Sequence, residues 1–441
     1  MVSSKVEGGL IYNVKLSSVG PGRFTGQDIV HEPNGMDLAM KLHYLRGIYY
    51  FPSQAFEGLT FRKIKEPLFT WFNHFYMTCG RFRRSEESGG RPVIKCNDCG
   101  ARFVEAQSDK TLDEWLEMMK DASNLERLLV SDKIIGPELA FSPLVFIQYT
   151  KFKCGGMAVG LSWAHVLGDA FSAAEFMNVL GKLLAGNEPA RPLNTARSLS
   201  RIQNPDSPRK VVVEDPLSVK RVGPVEDTWI TVNNRKMETF SFHVTPTQLS
   251  HIESKIWDKY DSPIAPFESI CAVIWKCMAK IRHGNEPKVV TICQKGSRNK
   301  GDGILSNSQI LSIVKADFAI SKANHDELAA MIKNQAIDER KKIEEAMECY
   351  QGLADFVVYG ANLTFVNFQE ANFYGFEYNG QKPVYVSYVI DGVGDEGAVL
   401  VLPGTKNGAK DGRYGKIVNL ILPENEIVEL KSELKREWSI A

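Results

Sequence analysis

Strand-like and helix-like patterns of apolar residues alternate along the whole chain. In the first half the spacing predicts strands at 10–17, 144–148 and 157–163, and helices at 36–50, 63–79 and 115–128. In the second half it predicts strands at 237–244, 289–293, 310–314, 363–366 and 416–422, and helices at 247–257, 267–281 and 339–350. No period of 20–50 residues repeats, so neither a solenoid nor a propeller is expected.

The passage from the strand at 157–163 to the following helix is sharply marked. Asp169 is suited to cap a helix over 170–185, because its side chain can accept backbone N–H bonds. Phe176, Leu180, Leu183 and Leu184 form an apolar stripe along that helix, and Gly186 is a suitable stop. A buried strand therefore leads through a short turn, 164–168, into a capped helix.

A change of composition divides the chain. Residues 187–227 are rich in Pro, Ser, Arg and Lys and carry little strand or helix pattern. A segment of this length without secondary structure is unusual inside one compact domain. We therefore predict an N-terminal domain at 1–190, a crossover linker at 191–226 and a C-terminal domain at 227–441. Two or three domains also suit the length of 441 residues.

Composition and charge exclude several classes. Lys plus Arg and Asp plus Glu both number 53, so the net charge is zero and a nucleic-acid partner is not expected. No stretch resembles a membrane span or a signal peptide, which makes the cytosol the default compartment. The eight cysteines are then expected as free thiols. Cys96 and Cys99 form a lone CxxC without a second ligand pair, so no metal site is expected.

His165 and Asp169 form the sharpest candidate for chemistry. A histidine at a strand end can act as a general base, because its ordinary pKa lies near neutrality. Acyl transfer to a hydroxyl group needs such a base. The HxxxD spacing alone is common, however, and taken alone it is better explained by a packed histidine followed by a helix-capping aspartate.

Several ordered motifs resemble the plant BAHD-type acyltransferase family. Met36 to Met40 matches the early Asp-containing helix start, and Cys79 to Phe82 is similar to the family's AGRL turn. Ile94 to Ala106 resembles its I-x-C-N-x-x-G-x-x-F-V-E-A stretch. His165 and Asp169 then fall on the family's HxxxD. Together these matches span the whole chain and are far more specific than HxxxD alone.

The resemblance implies two similar α/β domains of the chloramphenicol-acetyltransferase type, joined by a crossover. In the family an acyl-CoA reacts with an alcohol or amine in a channel between the domains. His165 would be the general base, and Asp169 its structural partner, orienting the site through an ion pair. Acyl-CoA would be a co-substrate, with no metal or redox cofactor bound. We expect a monomer.

The chain departs from the family pattern at three places. Ala170 replaces the glycine that follows the motif aspartate, which is tolerable if it is the first residue of the helix. Asn372 to Phe376 stands in place of the structural DFGWG motif, and Asn372 cannot form the ion pair of the family's aspartate. The family's Y-F-G-N is absent from Gly303 to Ser308.

Further matches resemble the wax-pathway ECERIFERUM/Glossy2 branch, nearest its ECERIFERUM-26-like members. They lie at 37–44, 90–92, 96–100, 141–145, 153–156 and 359–365, and the branch shares the degraded DFGWG. This resemblance implies a role in very-long-chain fatty acid elongation for cuticular wax. The partner would be a membrane-bound ketoacyl-CoA synthase, which would place the protein at the cytosolic face of the endoplasmic reticulum.

Three hypotheses follow for function. The first is a partner of the elongation machinery that needs no acyltransferase chemistry. The second is a CoA-dependent O-acyltransferase that transfers a long-chain acyl group to a hydroxyl, with His165 as base. The third is a lipid-binding module that binds its ligand in the channel between the domains, where the family binds acyl-CoA.

Four other residues are weaker site candidates. Lys295 and Arg298 could contact CoA phosphates, although a solvated loop explains them as well. Asn362 and Thr364 could donate to an oxyanion, or could serve only the strand end.

Overall fold

The structure is a computed structural model that describes ten ranges of the chain. They are 9–26, 28–84, 89–121, 125–131, 141–189, 214–225, 233–257, 264–297, 303–404 and 414–440.

Eighteen strands and nine α-helices alternate within these ranges. The strands are β1 (Ile11–Val19), β2 (Val30–His31), β3 (Tyr44–Phe51), β4 (Arg81–Arg84), β5 (Pro92–Lys95), β6 (Ala101–Ser108), β7 (Val145–Lys151), β8 (Met157–Ala164), β9 (Lys220–Val222), β10 (Met237–Val244), β11 (Val289–Gln294), β12 (Ile310–Lys315), β13 (Ile337–Asp338), β14 (Asp355–Val357), β15 (Leu363–Asn367), β16 (Tyr385–Asp391), β17 (Ala398–Pro403) and β18 (Lys416–Pro423). The helices are α1 (Gly35–Ala39), α2 (Phe61–His74), α3 (Leu112–Asp121), α4 (Ala170–Leu184), α5 (Pro246–Trp257), α6 (Pro266–Ile281), α7 (His325–Asn334), α8 (Arg340–Cys349) and α9 (Glu424–Trp438).

A six-stranded sheet organises the first half, in the order β1-β6-β7-β8-β3-β16. Its last strand comes from the second half of the sequence and pairs antiparallel with β3, Ser387 lying opposite Ile48. The helices α2 and α4 pack against each other, with Trp71 stacked on Phe176 at 4.0 Å between ring centroids. The sheet of the first half is therefore completed by the second half.

A seven-stranded sheet organises the second half, in the order β10-β18-β17-β15-β11-β12-β13. The helix α6 is buried along most of its length and contacts α7 and α9. Two small sheets, β14-β9 and β2-β5-β4, complete the arrangement. The core of the first half also takes in Val366, Leu400 and Ile417 of the seven-stranded sheet, and a second core packs that sheet against α6. The α/β character is the same in both halves.

The helix predicted over residues 36–50 is wrong beyond its first turn. Only Gly35–Ala39 is helical, and Tyr44–Phe51 forms the strand β3, every residue of which is buried. A central strand with both faces covered has an unbroken apolar run, which periodicity alone does not distinguish from a buried helix.

Most other predicted elements are confirmed within one to three residues. The helix predicted at 115–128 is an exception, because α3 covers Leu112–Asp121 and Leu125–Leu128 forms a 3₁₀ turn. The predicted helix at 63–79 is shorter, because α2 ends at His74 and a 3₁₀ turn follows at Tyr76–Cys79. The predicted domain boundaries stay predictions, and most of the linker lies outside the described residues. Within the described ranges, no helix combines the length and apolar character needed to cross a lipid bilayer.

Candidate active site

The turn that carries His165 joins β8 to α4. His165–Leu167 form a single 3₁₀ turn, and Gly168 follows with φ 151°. A Cβ at Gly168 would lie 2.8 Å from Ser172 Cβ and 2.9 Å from the Ser306 nitrogen, so only glycine fits. Ala170 is the first residue of α4, a position that alanine occupies without strain.

The imidazole of His165 is buried and hydrogen-bonds to the hydroxyl group of Tyr359. Its Nε2 lies 2.9 Å from the hydroxyl of Tyr359, and that hydroxyl donates to Gln309 Oε1 at 3.1 Å. All three residues have no exposed surface. Because the tyrosine proton goes to Gln309, Nε2 carries the imidazole proton and donates to the tyrosine oxygen. The unprotonated Nδ1 has no hydrogen-bond partner among the described residues.

Burial keeps both histidines of this region neutral. Desolvation lowers the pKa of His165 to about 4, although the nearby Asp169 carboxylate opposes the shift. The ring of His43 lies 6.5 Å from that of His165. Desolvation and then the charge of His165 lower the pKa of His43 to about 3. His43 Nε2 accepts from the Val358 N–H at 3.0 Å, which fixes its tautomer.

Asp169 caps α4 as predicted, whereas the ion pair implied by the family resemblance stays a prediction. One carboxylate oxygen accepts from the Ser172 N–H at 3.0 Å. The other accepts from the Ser308 N–H at 3.0 Å and the Ser308 hydroxyl at 3.1 Å. Among the described residues these partners are neutral, and the helix N-terminus favours the negative charge. Within the described ranges, hydrogen bonds from Ser172 and Ser308 therefore hold this carboxylate.

The loop before β12 joins the two halves at this site. Asn307 donates to Asp37 Oδ1 at 3.0 Å and to the His165 carbonyl at 2.9 Å. Asp37 belongs to the capping box that begins α1. Consecutive residues, Asn307 and Ser308, thus satisfy two buried aspartates at two helix starts of the first half. The segment that lacks the family's Y-F-G-N supplies these contacts.

The segment that replaces DFGWG is solidly packed. Asn372 accepts from Asn178 of α4 through its backbone carbonyl at 3.1 Å, and Phe373 stacks on Tyr388 at 4.1 Å. Gly181 of α4 approaches the backbone of Glu377 so closely that a Cβ would lie 2.9 Å from its nitrogen. These contacts dock the segment against the first half.

Residues 377–381 are extra relative to the family pattern, and they place one more aromatic ring in the core. Tyr378 is buried, its ring lies 4.3 Å from that of Phe56, and its hydroxyl hydrogen-bonds that of Tyr149. The insertion therefore fills space inside the first half.

The weaker site candidates lie in structural contacts or outside the described ranges. Lys295 pairs with Glu370 at 3.2 Å on the surface, and Arg298 lies outside the described residues. Asn362 donates to the Leu217 carbonyl at 2.7 Å, and Thr364 donates to the Asn362 carbonyl at 2.8 Å. Their donors are thus already engaged, and their predicted role at an oxyanion stays a prediction.

The described residues hold no group of three or more His, Cys, Asp or Glu side chains arranged for a metal ion. Cys96 is buried and Cys99 is exposed, in the loop that leads to β6. Three described cavities have volumes of about 870, 440 and 20 Å³, and His165 lines none of them.

The site contains residues that the sequence did not single out: His43, Asn307, Ser308, Gln309 and Tyr359. They come from three separate stretches of the chain, and no local spacing joins them to His165. The available signals were the absence of Y-F-G-N at 303–308 and the branch matches at 37–44 and 359–365, which contain His43 and Tyr359.

Comparisons with known proteins agree with this architecture. A family model described as the transferase family matches residues 36–436. Protein ECERIFERUM 26 of Arabidopsis thaliana is 40% identical over 433 residues, covering 98% of this chain and 97% of that protein. Protein ECERIFERUM 2 of the same plant is 37% identical over 443 residues, covering 97% and 99%.

Two solved structures share the fold at low identity. Vinorine synthase superposes with a TM-score of 0.69 at 18% identity, covering 97% of this chain and 98% of that one. TRI101 of F. graminearum, complexed with coenzyme A and deoxynivalenol, gives 0.68 at 14%, covering 93% and 98%. The predicted fold of two chloramphenicol-acetyltransferase-like α/β domains is confirmed. The chain belongs to the BAHD-type transferase family and has its relatives among the ECERIFERUM proteins.

Proposed function

We propose that this protein acts in very-long-chain fatty acid elongation for cuticular wax, as a partner of a ketoacyl-CoA synthase and without acyl transfer by His165. It works at the cytosolic face of the endoplasmic reticulum, where the membrane-bound synthase would hold it. The relationship to the ECERIFERUM proteins supports the pathway. The geometry around His165 supports the absence of chemistry.

The observation that carries the proposal is the contact between His165 Nε2 and the Tyr359 hydroxyl at 2.9 Å. A general base must reach the proton of its acceptor within about 2.6–3.2 Å, directly or through one water. Here the protonated Nε2 faces a tyrosine of the protein itself, and the unprotonated Nδ1 is buried without a partner among the described residues, so neither nitrogen is placed to meet an acceptor hydroxyl. The low pKa of about 4 also makes the imidazole a weak base near neutral pH.

A second candidate is a CoA-dependent O-acyltransferase that acylates a hydroxyl group. It is favoured by the intact placement of His165 at the end of β8, in the contact between the two halves. In this function the Tyr359 side chain turns aside when the substrates bind. His165 then takes the acceptor proton, and acyl-CoA is the co-substrate.

The experiment that tests the proposal is co-expression in yeast. Three yeast strains are compared: one expresses a plant ketoacyl-CoA synthase alone, one expresses the synthase together with this protein, and one expresses this protein alone. We expect longer acyl products only when both proteins are present, and we expect the two to co-purify from detergent-solubilised membranes. Unchanged product lengths with both proteins abundant would refute the partnership.

An acyltransferase assay on the purified protein distinguishes the second candidate function from the first. Long-chain acyl-CoA with a panel of hydroxyl acceptors should give no turnover if the partner function is correct. Turnover that falls roughly 10²–10⁴-fold in His165→Gln, with folding intact, would establish the acyltransferase instead.

A further inference from the structure

A groove of about 440 Å³ lies in the first half, between the loop that follows β1 and the C-terminal end of α2. Its apolar walls include Phe24, Ile29 and Tyr76, and Arg23 lies at its rim. It shares no residue with the surroundings of His165. The volume falls within the range of small-molecule sites, which are mostly apolar with a few polar groups.

The loop that forms one wall is firmly anchored. The backbone N–H and hydroxyl of Thr25 donate to the carboxylate of Asp98, at 2.9 and 2.6 Å. The Arg23 N–H donates to Asn73 Oδ1 at 2.9 Å, and Gly22 bonds the Phe69 carbonyl. The ring of Phe24 is nevertheless 75% exposed. A fixed backbone therefore presents Phe24 to solvent in the same groove as Ile29, which is 37% exposed, so two apolar side chains are open to a ligand.

The polar end of the groove contains an unsatisfied buried histidine. His74 is 7% exposed, and neither of its ring nitrogens has a hydrogen-bond partner among the described residues. A buried polar group without a partner costs about 1–3 kcal/mol, so a ligand that completes it gains affinity. The carboxylate of Glu188, also in the groove, lies 3.7 Å from His74 Nε2.

The lining carries one cation, Arg23, and one anion, Glu188, and the cation is the group that an anionic head group would pair with. Glu188 is directed at the imidazole of His74, which leaves Arg23 as the other charged side chain of the lining. Arg23 forms no ion pair with the described carboxylates. An arginine guanidinium binds a carboxylate through two parallel hydrogen bonds.

We propose that this groove binds an amphiphilic carboxylate and is a binding site separate from that of His165. The carboxylate pairs with Arg23 and reaches His74 when Glu188 moves aside. The apolar body of the ligand packs on Phe24, Ile29 and Tyr76. An alkyl acid and an aromatic acid share this chemistry.

The test is isothermal titration of the full chain with decanoate and with 2-naphthoate. Arg23→Gln is expected to weaken binding roughly ten-fold or more, because it removes a charge-assisted pair. Phe24→Ser should weaken it through the lost apolar contact, and His74→Gln through the lost imidazole. Arg62→Gln, an exposed arginine on α2 outside the groove lining, is the matched control and should bind as the unaltered protein does.

Binding of either acid that depends on Arg23 and Phe24 supports the site, and the tighter of the two acids identifies the ligand class. Decanol binding as tightly as decanoate would overturn the role of the carboxylate. The absence of binding up to millimolar concentration, or binding indifferent to Arg23→Gln and Phe24→Ser, would overturn the site. His165→Gln should leave this binding unchanged, so the outcome is independent of the elongation function.

Discussion

At the residue scale, His165 and Asp169 keep the HxxxD motif, but their contacts are made with residues far away in the sequence. The sequence located the histidine at a strand end and Asp169 at a helix cap, because both roles depend on neighbours within a few residues. The partners Tyr359, Gln309 and Ser308 come from distant parts of the chain. No spacing rule joins them to the motif, so neither the contact of Tyr359 with the imidazole nor the hydrogen bonds of Ser308 to the aspartate could be predicted.

The buried imidazole makes a prediction about acid sensitivity. Burial lowers the pKa of His165 from 6.5 to about 4, so between these values the unfolded chain binds a proton that the folded protein does not. The stability is fully present above pH 6.5 and declines as the pH falls toward 4. The free energy of unfolding should fall by about 1.4 kcal/mol per pH unit on account of this histidine.

Urea unfolding at about pH 7, 6 and 5 measures this slope. His165→Gln should flatten the pH dependence by the stated amount, whereas His251→Gln, at an exposed position on α5, should not. Equal slopes in all three proteins would show that His165 titrates normally and is open to water.

At the element scale, caps and apolar stripes predicted several helices, but α7 and α9 were not predicted. The helix α4 starts after Asp169, and α6 has its apolar side on the core, as the spacing indicated. The strand β3 was mistaken for a helix, because both of its faces are buried and its pattern carries no alternation. The segment at 372–376 was recognised as degraded, but its docking against α4 depends on contacts that spacing does not predict.

The close contact between α4 and the backbone of Glu377 predicts the effect of adding one methyl group at Gly181. Gly181→Ala on α4 would place a Cβ 2.9 Å from the Glu377 nitrogen and 3.0 Å from its carbonyl oxygen. Both contacts are with backbone, so relief requires the two elements to separate. We expect a loss of about 1–3 kcal/mol, offset in part by the better helix propensity of alanine.

Thermal or urea unfolding of the Gly181→Ala variant gives the result. Gly223→Ala is the control, because a Cβ there meets no atom within 4 Å. A stability gain in Gly181→Ala would mean that the 372–376 segment is not held against α4.

At the scale of the whole molecule, composition and the crossover correctly indicated two α/β halves, but not how they join. The sheet of the first half takes β16 from the second half, and a buried ion pair spans the halves where Lys41 meets Asp355 at 2.9 Å. Long-range pairings of this kind leave no local signature in the sequence. The resemblance to the family, carried by ordered motifs over the whole chain, supplied what periodicity did not.

The ion pair predicts that the halves depend on each other for stability. Lys41→Met would leave the Asp355 carboxylate, whose side chain is 3% exposed, without its cation. Breaking a buried pair in this way typically costs about 3–5 kcal/mol. Adding Asp355→Asn should recover part of the loss, because the uncompensated charge is then removed.

Urea unfolding of both variants, with Lys63→Met as an exposed control, measures this dependence. A cost below about 1 kcal/mol for Lys41→Met would place the pair among the weak contacts of the surface.

The measurement that tests the central claim most directly is acyl chain length in yeast that expresses a plant ketoacyl-CoA synthase with this protein or its His165→Gln variant. Glutamine keeps a hydrogen-bonding group toward Tyr359 but cannot serve as a general base. With equal amounts of folded protein, the proposed function predicts the same shift to longer products for both. A shift that occurs only with the unaltered protein would contradict it and assign acyl transfer to His165.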